Sequence, residues 1–322
     1  MQLGMVGLGR MGSNLVRRLM RDGHDCVVYD VRPDAVRGLS GEGATGADSL
    51  ADLVAKLARP RAVWIMVPAG EITQAAVDGL AAHLEPDDVI IDGGNSSYRD
   101  DIARAASVRD RGIHYIDIGT SGGVWGLDRG FCLMIGGEDD PVTRLRPIFA
   151  SIAPGVTAAE RTPGRTGEPV DAENGFLHCG PTGAGHFVKM IHNGIEYGMM
   201  QALAEGFALM HRRDDLALDV AAIAETWRHG SVVRSWLLDL TARFLADDSA
   251  LANIAPFVAD SGEGRWTVQE AVEQGVPAPV LTLALMARFA SQGRDDYAAK
   301  MLAMMRKGFG GHAVAAAPSN PA

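Results

Sequence analysis

Gln2-Leu-Gly-Met-Val6 runs without a break into Gly7-Leu-Gly-Arg-Met-Gly12, and the reading of this junction decides the architecture. The first segment is short and apolar, as a buried strand must be. Behind the glycines come Leu15, Leu19 and Met20 at helical spacing, closed by Asp22-Gly23, and then a second apolar segment, Cys26-Val-Val-Tyr-Asp30. A lone G-x-G-x-x-G carries little weight. One set between a strand and a helix, with an acid at the end of the next strand, carries much more. Its glycines permit a tight turn and close backbone approach, and the helix N-terminus turns N–H groups toward a pyrophosphate. Gly7, Leu8, Gly9, Arg10, Met11 and Gly12 are therefore candidate cofactor-binding residues. Asp30, eighteen residues past Gly12, is placed to accept hydrogen bonds from ribose hydroxyls. A carboxylate there repels a 2′-phosphate and favours NAD over NADP, whereas Arg32 can accommodate that phosphate and pulls the other way. The alternative for Asp30 is a plain turn residue at a strand end.

Working outward, Ala62–Val67, Val89–Asp92 and Ile113–Ile118 are further buried-type strands, and Phe131–Ile135 is one more. Strands alternating with helical stretches predict a parallel, doubly wound Rossmann-type sheet, an α/β domain. Ligands of such sheets lie beyond the strand C-termini. There fall Val67-Pro68-Ala69, Asn95 in Gly93-Gly-Asn-Ser-Ser-Tyr-Arg-Asp100, and Ser121-Gly122-Gly123. Such residues are often only turns, yet three small polar loops at one edge predict a binding crevice. The Gly-, Pro- and Thr-rich stretch from Pro154 to Thr182 reads as an interdomain connection. Beyond it the patterns are helical, at Val220–Trp227, Ser235–Leu245, Val280–Ser291 and a helix opened by Gly262-Glu-Gly-Arg-Trp-Thr267. The expected organisation is a dinucleotide-binding domain over residues 1–181, an all-α domain over 182–312, and a low-complexity, disordered tail over 313–322.

With 322 residues and 47% hydrophobic content, the chain has ample core for two domains. A net charge of −10 makes nucleic acid an unsuitable partner. No apolar run approaches the roughly 20 residues of a membrane span, and the N-terminus shows no signal-peptide pattern. Three cysteines without a CxxC, namely Cys26, Cys132 and Cys179, indicate reduced thiols in the cytoplasm and no structural zinc.

One stretch stands apart. Gly185-His-Phe-Val-Lys-Met-Ile-His-Asn-Gly-Ile-Glu-Tyr197 continues to Met210 without a proline, which predicts one long helix. Lys189, Asn193, Glu196 and Tyr197 share one helical face, and at ~1.5 Å per residue Lys189 and Glu196 lie roughly 10 Å apart along the axis. Phe187, Val188, Ile191, Ile195, Met199 and Leu203 are apolar, so the helix is expected to be buried on most sides. A buried ammonium and carboxyl flanking Asn and Tyr suggest a site. The alternative is a solvated, salt-bridged face, which usually pairs Lys with Glu four apart. His192 is open between substrate contact and a satisfied core histidine. Arg288, in an otherwise apolar run, is either a snorkelling Arg or an anion ligand.

The Gly185–Tyr197 string resembles the catalytic helix of the 6-phosphogluconate dehydrogenases. Asp92–Asp100 and Ser121-Gly-Gly, ending in Leu133-Met-Ile-Gly-Gly137, are similar to that family's other signatures, and the likeness runs from Met1 to His312. The chain lacks the second helical block of the longer members and so resembles the short branch, for which Asp30 fits NAD, with NADP the weaker cofactor. Where longer members carry a substrate-binding Lys stands Ser261, and Arg265 is the candidate substitute. The resemblance implies metal-free oxidative decarboxylation of 6-phosphogluconate to ribulose 5-phosphate, with Lys189 as base and Glu196 as acid. It implies that Asn95, Ser121, Gly122, Gly123, His192 and Asn193 hold the carboxylate and hydroxyls, and that Tyr197 and Arg288 hold the phosphate. It also implies a homodimer or homotetramer in which Arg306 and His312 of Arg306-Lys-Gly-Phe-Gly-Gly-His312 complete a neighbouring site. Glycines 308, 310 and 311 are expected to end the preceding helix near Met305. Two alternatives remain: a β-hydroxyacid dehydrogenase for an unphosphorylated substrate, disfavoured by Arg288, Tyr197 and the tail Arg, and a non-catalytic NAD-sensing protein, disfavoured by the intact Lys189 and Glu196.

Overall fold

The computed structural model describes residues 1–294, 296–310, 313 and 315. The expected tail over 313–322 therefore lies outside the described residues apart from 313 and 315, as does His312. The described chain divides into two compact units, Met1–Met190 and Ile191–Ala322.

The first unit is built on eight strands: β1 Gln2–Val6, β2 Asp25–Tyr29, β3 Thr45–Gly46, β4 Ala62–Ile65, β5 Val89–Asp92, β6 His114–Ser121, β7 Cys132–Gly136 and β8 Phe176–Gly180. They form one sheet in the order β3-β2-β1-β4-β5-β6-β7-β8. The strands from β3 through β6 are parallel, as the alternating pattern predicted. The β6–β7 pair is antiparallel, with Asp117 opposite Gly136 and Ser121 opposite Cys132, so the sheet is mostly rather than wholly parallel. The connection from β6 to β7 is only a short helical turn, Gly123–Arg129, too brief for the crossover that a parallel pairing requires.

Both sheet faces are covered. Leu3, Met5, Val28, Trp64, Ile91 and Ile116 pack into one core, and Val27, Val63, Ile65, Ile90 and Tyr115 into the other. Strands buried on both sides read as continuous apolar runs, which is why most were visible in the sequence. The stretch 154–182 is no mere connection. It holds a short helix, Asp171–Asn174, and β8, which pairs in parallel with β7. Its Gly, Pro and Thr content masked a strand that is completed by pairing along β7.

The long helix spans Ala184–His211. Its first turn is held by Asp117 of β6, whose carboxylate accepts from the Gly183 N–H at 2.6 Å and the His186 N–H at 2.8 Å. These are two of the donors that a helix N-terminus leaves unpaired. The boundary between the units falls inside this helix, past the 181/182 division expected from composition. The reason is local: a Cβ on Gly185 would stand 2.4 Å from the Asp117 carbonyl oxygen and 2.5 Å from that of Met134, so the first turns belong to the sheet. The helix is not buried on most sides. Val188, Ile195 and Met199 are 38%, 51% and 43% exposed.

The second unit is all-α, with helices Val220–Arg228, Trp236–Asp247, Glu263–Gln274, Pro279–Ser291 and Asp296–Gly310. Asp219 and Ser235 cap the first two through the N–H groups of Ala222 and Leu238. The last helix continues to Gly310, not to Met305 as expected, so Gly308 is tolerated inside it. No described helix is long and apolar enough to cross a membrane.

Replacing Gly185 by Ala tests the helix anchorage. Two backbone oxygens cannot retreat as a side chain would, so the variant should lose about 1–3 kcal/mol of stability. Denaturant unfolding of Gly185→Ala checks this, with Gly206→Ala, which meets nothing within 4 Å, as the control that should not be destabilised.

Candidate active site

At the junction of β1 and β4, where the strand order reverses, the glycines are sterically required. Gly7 has φ +94°, and a Cβ there would lie 2.3 Å from the Met66 carbonyl oxygen. A Cβ on Gly12 would lie 2.0 Å from the Gly7 carbonyl oxygen. Gly9, N-cap of the helix Arg10–Arg21, has nothing within 4 Å of its Cβ position, so its side is open for a ligand group. Leu8 is buried, Gly9 and Arg10 are exposed, and Met11 is half-buried. Val67 is half-buried and Pro68 and Ala69 are exposed just beyond β4. A Cβ on Gly7 would also meet the Val67 side chain at 2.8 Å, so the loops after β1 and β4 adjoin. This open helix N-terminus between two strand ends suits a dinucleotide.

Asp30 follows β2 directly. Its carboxylate accepts from the Leu8 N–H at 2.6 Å and the Arg32 N–H at 2.9 Å, and the Arg32 guanidinium lies 3.3 Å away. Burial works against ionisation, but these donors prevail and hold the carboxyl below its usual range. Asp30 and Arg32 are thus one pair, and neither was legible as the partner of the other.

Beyond β5 and β6 a buried network supports the other loops. Asp92 Oδ1 accepts from the Gly94 N–H at 3.0 Å, and its Oδ2 accepts from Ser96 Oγ at 2.7 Å and Arg104 at 3.2 Å. Tyr115 Oη lies 3.2 Å from Asp92 and 3.1 Å from Asp101. His186 Nδ1 lies 2.7 Å from Asp101 Oδ2, and Nε2 lies 3.1 Å from the Gly94 carbonyl oxygen. Asp92, Asp101 and His186 offer atoms within 4.8 Å of one another, a spacing that could hold a cation. Both ring nitrogens already face acceptors, however, and Arg104 and Tyr115 occupy the carboxylates. The group is an internally satisfied ion network.

Asn95 is exposed on the turn after β5, and Ser121, Gly122 and Gly123 follow at the end of β6. Gly122 and Gly123 have φ of +145° and +52°, which explains glycine at both. Lys189 sits over this strand end. A Cβ on Gly119 would lie 2.2 Å from the Lys189 Cβ, so only glycine lets the lysine stem cross β6 there.

In the second unit the structure brings together Asn193, Tyr197, Ser261 and Glu263. The buried Glu263 carboxylate accepts from Ser261 Oγ at 2.6 Å, Asn193 Nδ2 at 3.2 Å and Tyr197 Oη at 3.4 Å. Arg288 stacks on the Tyr197 ring, 3.5 Å from its centroid, and donates to the Ala259 carbonyl at 2.8 Å. Its stem is not simply snorkelling, and among the described residues no carboxylate forms a salt bridge with it. Arg265, the candidate substitute for a lysine at 261, donates to Asp260 and lies 4.8 Å over the Phe289 ring. His192 Nδ1 lies 3.0 Å from Asn193 Oδ1 and 3.9 Å from Glu196. Arg306 is exposed on the last helix. Sequence reasoning missed Glu263, Asp117 and the His186 network. The signal was present: a charged residue inside an apolar strand, as in Ile113–Ile118, must be partnered when buried.

Residues 2–159 match the model of the NAD binding domain of 6-phosphogluconate dehydrogenase, and residues 185–315 match that of its C-terminal domain. A relative from Haloferax volcanii, "6-phosphogluconate dehydrogenase, NAD(+)-dependent, decarboxylating", is 42% identical over 98% of this chain and 99% of its own length. The chain belongs to the 6-phosphogluconate dehydrogenase family. A longer Bacillus subtilis member, named as NADP(+)-dependent, is 33% identical over 92% of this chain but only 62% of its own length. Among solved structures, Plasmodium falciparum 6-phosphogluconate dehydrogenase superposes with TM-score 0.78 at 26% identity, over 100% of this chain and 67% of that one. A Rossmann-type domain followed by a helical region is the arrangement seen here.

The His186–Asp101 pair makes a pH prediction. Burial opposes the imidazolium, but the Asp101 carboxylate prevails and carries His186 up to about 9. Burial likewise carries Asp101 up to about 6, against the pull of the ring. At neutral pH the pair holds one proton between Nδ1 and Oδ2. The folded value of His186 exceeds the unfolded 6.5, so its stabilisation is fully present below pH 6.5 and lost as pH rises through about 9. Unfolding free energy should fall across that window by at most about 1.4 kcal/mol per pH unit, with melting temperature falling alongside it. Asp101→Asn should flatten the decline.

Proposed function

We propose that this chain oxidises and decarboxylates 6-phosphogluconate to ribulose 5-phosphate and CO₂, with NAD preferred over NADP. The observation that carries the reading is Lys189, seated across Gly119 at the end of β6, in a chain 42% identical along nearly its whole length to a decarboxylating relative. The nicotinamide, when bound, supplies the acceptor for the hydride from C3. Lys189 Nζ takes the C3 hydroxyl proton, so C3 becomes a carbonyl. The C1–C2 bond then breaks, CO₂ leaves, and the electron pair moves toward the C3 oxygen, which Lys189 reprotonates to give the enediol. Glu196 protonates the carbon that has lost CO₂, which becomes C1 of the ketose, while the hydroxyl on the former C3 gives its proton back to Lys189 Nζ and becomes the C2 carbonyl. Asn95, Ser121, Gly122, Gly123, His192 and Asn193 hold the carboxylate and hydroxyls. Tyr197 and Arg288 hold the phosphate, a role suited to a guanidinium.

Cofactor choice rests on Asp30. Its ionised carboxylate, fixed by the Leu8 and Arg32 N–H groups, disfavours a 2′-phosphate. Exposed apolar side chains in the second unit, among them Val280, Leu283, Leu302 and Met304 at 63%, 68%, 60% and 56%, support a homo-oligomer. In it Arg306 and His312 serve a neighbouring site.

Three measurements test the reading. Lys189→Met should abolish turnover of 6-phosphogluconate with NAD while NAD still binds, and Glu196→Gln should cut kcat at least about 100-fold. Near-normal kcat in either removes that residue from its role. For the wild type, kcat/KM should be higher with NAD than with NADP, and Asp30→Asn should narrow the gap; a wild-type preference for NADP contradicts the role of Asp30. Finally, Lys189→Met chains mixed with Arg306→Ala/His312→Ala chains should regain activity. Proven hetero-oligomers without recovery would show that the tail does not act in trans.

A further inference from the structure

We propose that His186 is a positioning residue, a ring that donates from both nitrogens and fixes the Gly94–Asn95 turn against the first turn of the helix carrying Lys189. The inference deepens the reading of Asn95 and Lys189 given above and rests on it. Its ground is the geometry of the acceptors. The Gly94 carbonyl oxygen can only accept, so Nε2, 3.1 Å away, must carry a hydrogen. Nδ1, 2.7 Å from Asp101 Oδ2, shares a second proton with that carboxyl. The residue is 2% exposed, so bulk solvent does not compete for either place.

What the ring holds is specific. Gly94 is bound from both sides of its residue, its N–H by Asp92 at 3.0 Å and its carbonyl by His186. Asn95, the next residue, is thereby set by one element, and Lys189, one turn along the helix from His186, by the other. Asp117 adds the second clamp on that helix through the Gly183 and His186 N–H groups. Among the described residues, the charged and titratable groups around the ring are Asp92 of β5, Tyr115 and Asp117 of β6, and Asp101 and Arg104 of the helix Tyr98–Arg109. Three carboxylates against one guanidinium and the capped helix end leave room for the proton the pair shares. A lateral shift of about 1 Å between a substrate-holding group and a base can cost about 100-fold in rate. Fixing that spacing is the function assigned to His186.

Two polar substitutions separate the bonds. In His186→Gln the amide nitrogen can stand where Nε2 does and keep the donor toward Gly94. In His186→Asn the amide reaches only the Nδ1 place and serves Asp101 alone. Hydrogen exchange of the Gly94–Ser96 amides, without substrate, should be faster in His186→Asn and near wild type in His186→Gln. Turnover should follow the same split: kcat down at least about 10-fold for Asn, within about 3-fold for Gln. Equal kcat in the two variants, or a loss that tracks melting temperature while the Gly94–Ser96 amides stay protected, overturns the proposal. If His186→Asn does not fold, fast exchange in His186→Gln overturns it and retained protection supports it. An inactive wild type would sink the functional reading, and the exchange result would still decide whether His186 fixes the turn.

Discussion

The Asp117 carboxylate is the constraint on which the first unit's chemistry depends. It is fully buried in the middle of the sheet, where an unpaired charge would be prohibitively costly. It is tolerated because it accepts two N–H groups at the start of the Ala184–His211 helix, whose positive end stabilises an anion. The same interaction that makes the charge bearable fixes the helix to β6. Lys189 inherits its position from that bond.

Glycine makes the anchorage possible. Gly119, Gly136 and Gly185 stand where the helix, β6 and β7 approach within backbone contact, and a Cβ at any of them would fall between 2.2 and 2.5 Å of a neighbouring atom. Close packing around these glycines leaves little slack, so the Lys189 stem is held tightly against β6. At the β1–β4 junction Gly7 and Gly12 serve the same purpose for the loop after β1. The two crowded places bracket the strand ends where ligands of doubly wound sheets bind.

The second unit reaches order by a different device. Glu263 gathers Ser261, Asn193 and Tyr197 around one buried carboxylate, and Arg288 lies flat on the tyrosine ring. Ser261 is therefore not an empty substitute for a longer side chain. Its hydroxyl is spent on Glu263, a residue that binds the helix Ala184–His211 to the helix it opens.

Much of this was legible along the chain. Strands buried on both faces write themselves as apolar runs, so β1, β2, β4, β5 and β6 could be read, and glycines at fixed spacing marked the loop after β1. The Lys189–Tyr197 face followed from helical periodicity. By itself the sequence determined those elements, their alternation and the types of residue brought to one helix face, because each depends on neighbours within a turn or two. Only the tertiary structure decided the antiparallel turn of β7, the recruitment of β8 from a Gly- and Pro-rich stretch, and the exposure of Val188, Ile195 and Met199. It alone joined His186 to Asp101 and Gly94, 85 and 92 positions away, and Glu263 to Asn193, 70 away. Such pairs form because burial forces polar groups to find partners wherever the fold places them, and no local pattern records which partner that is.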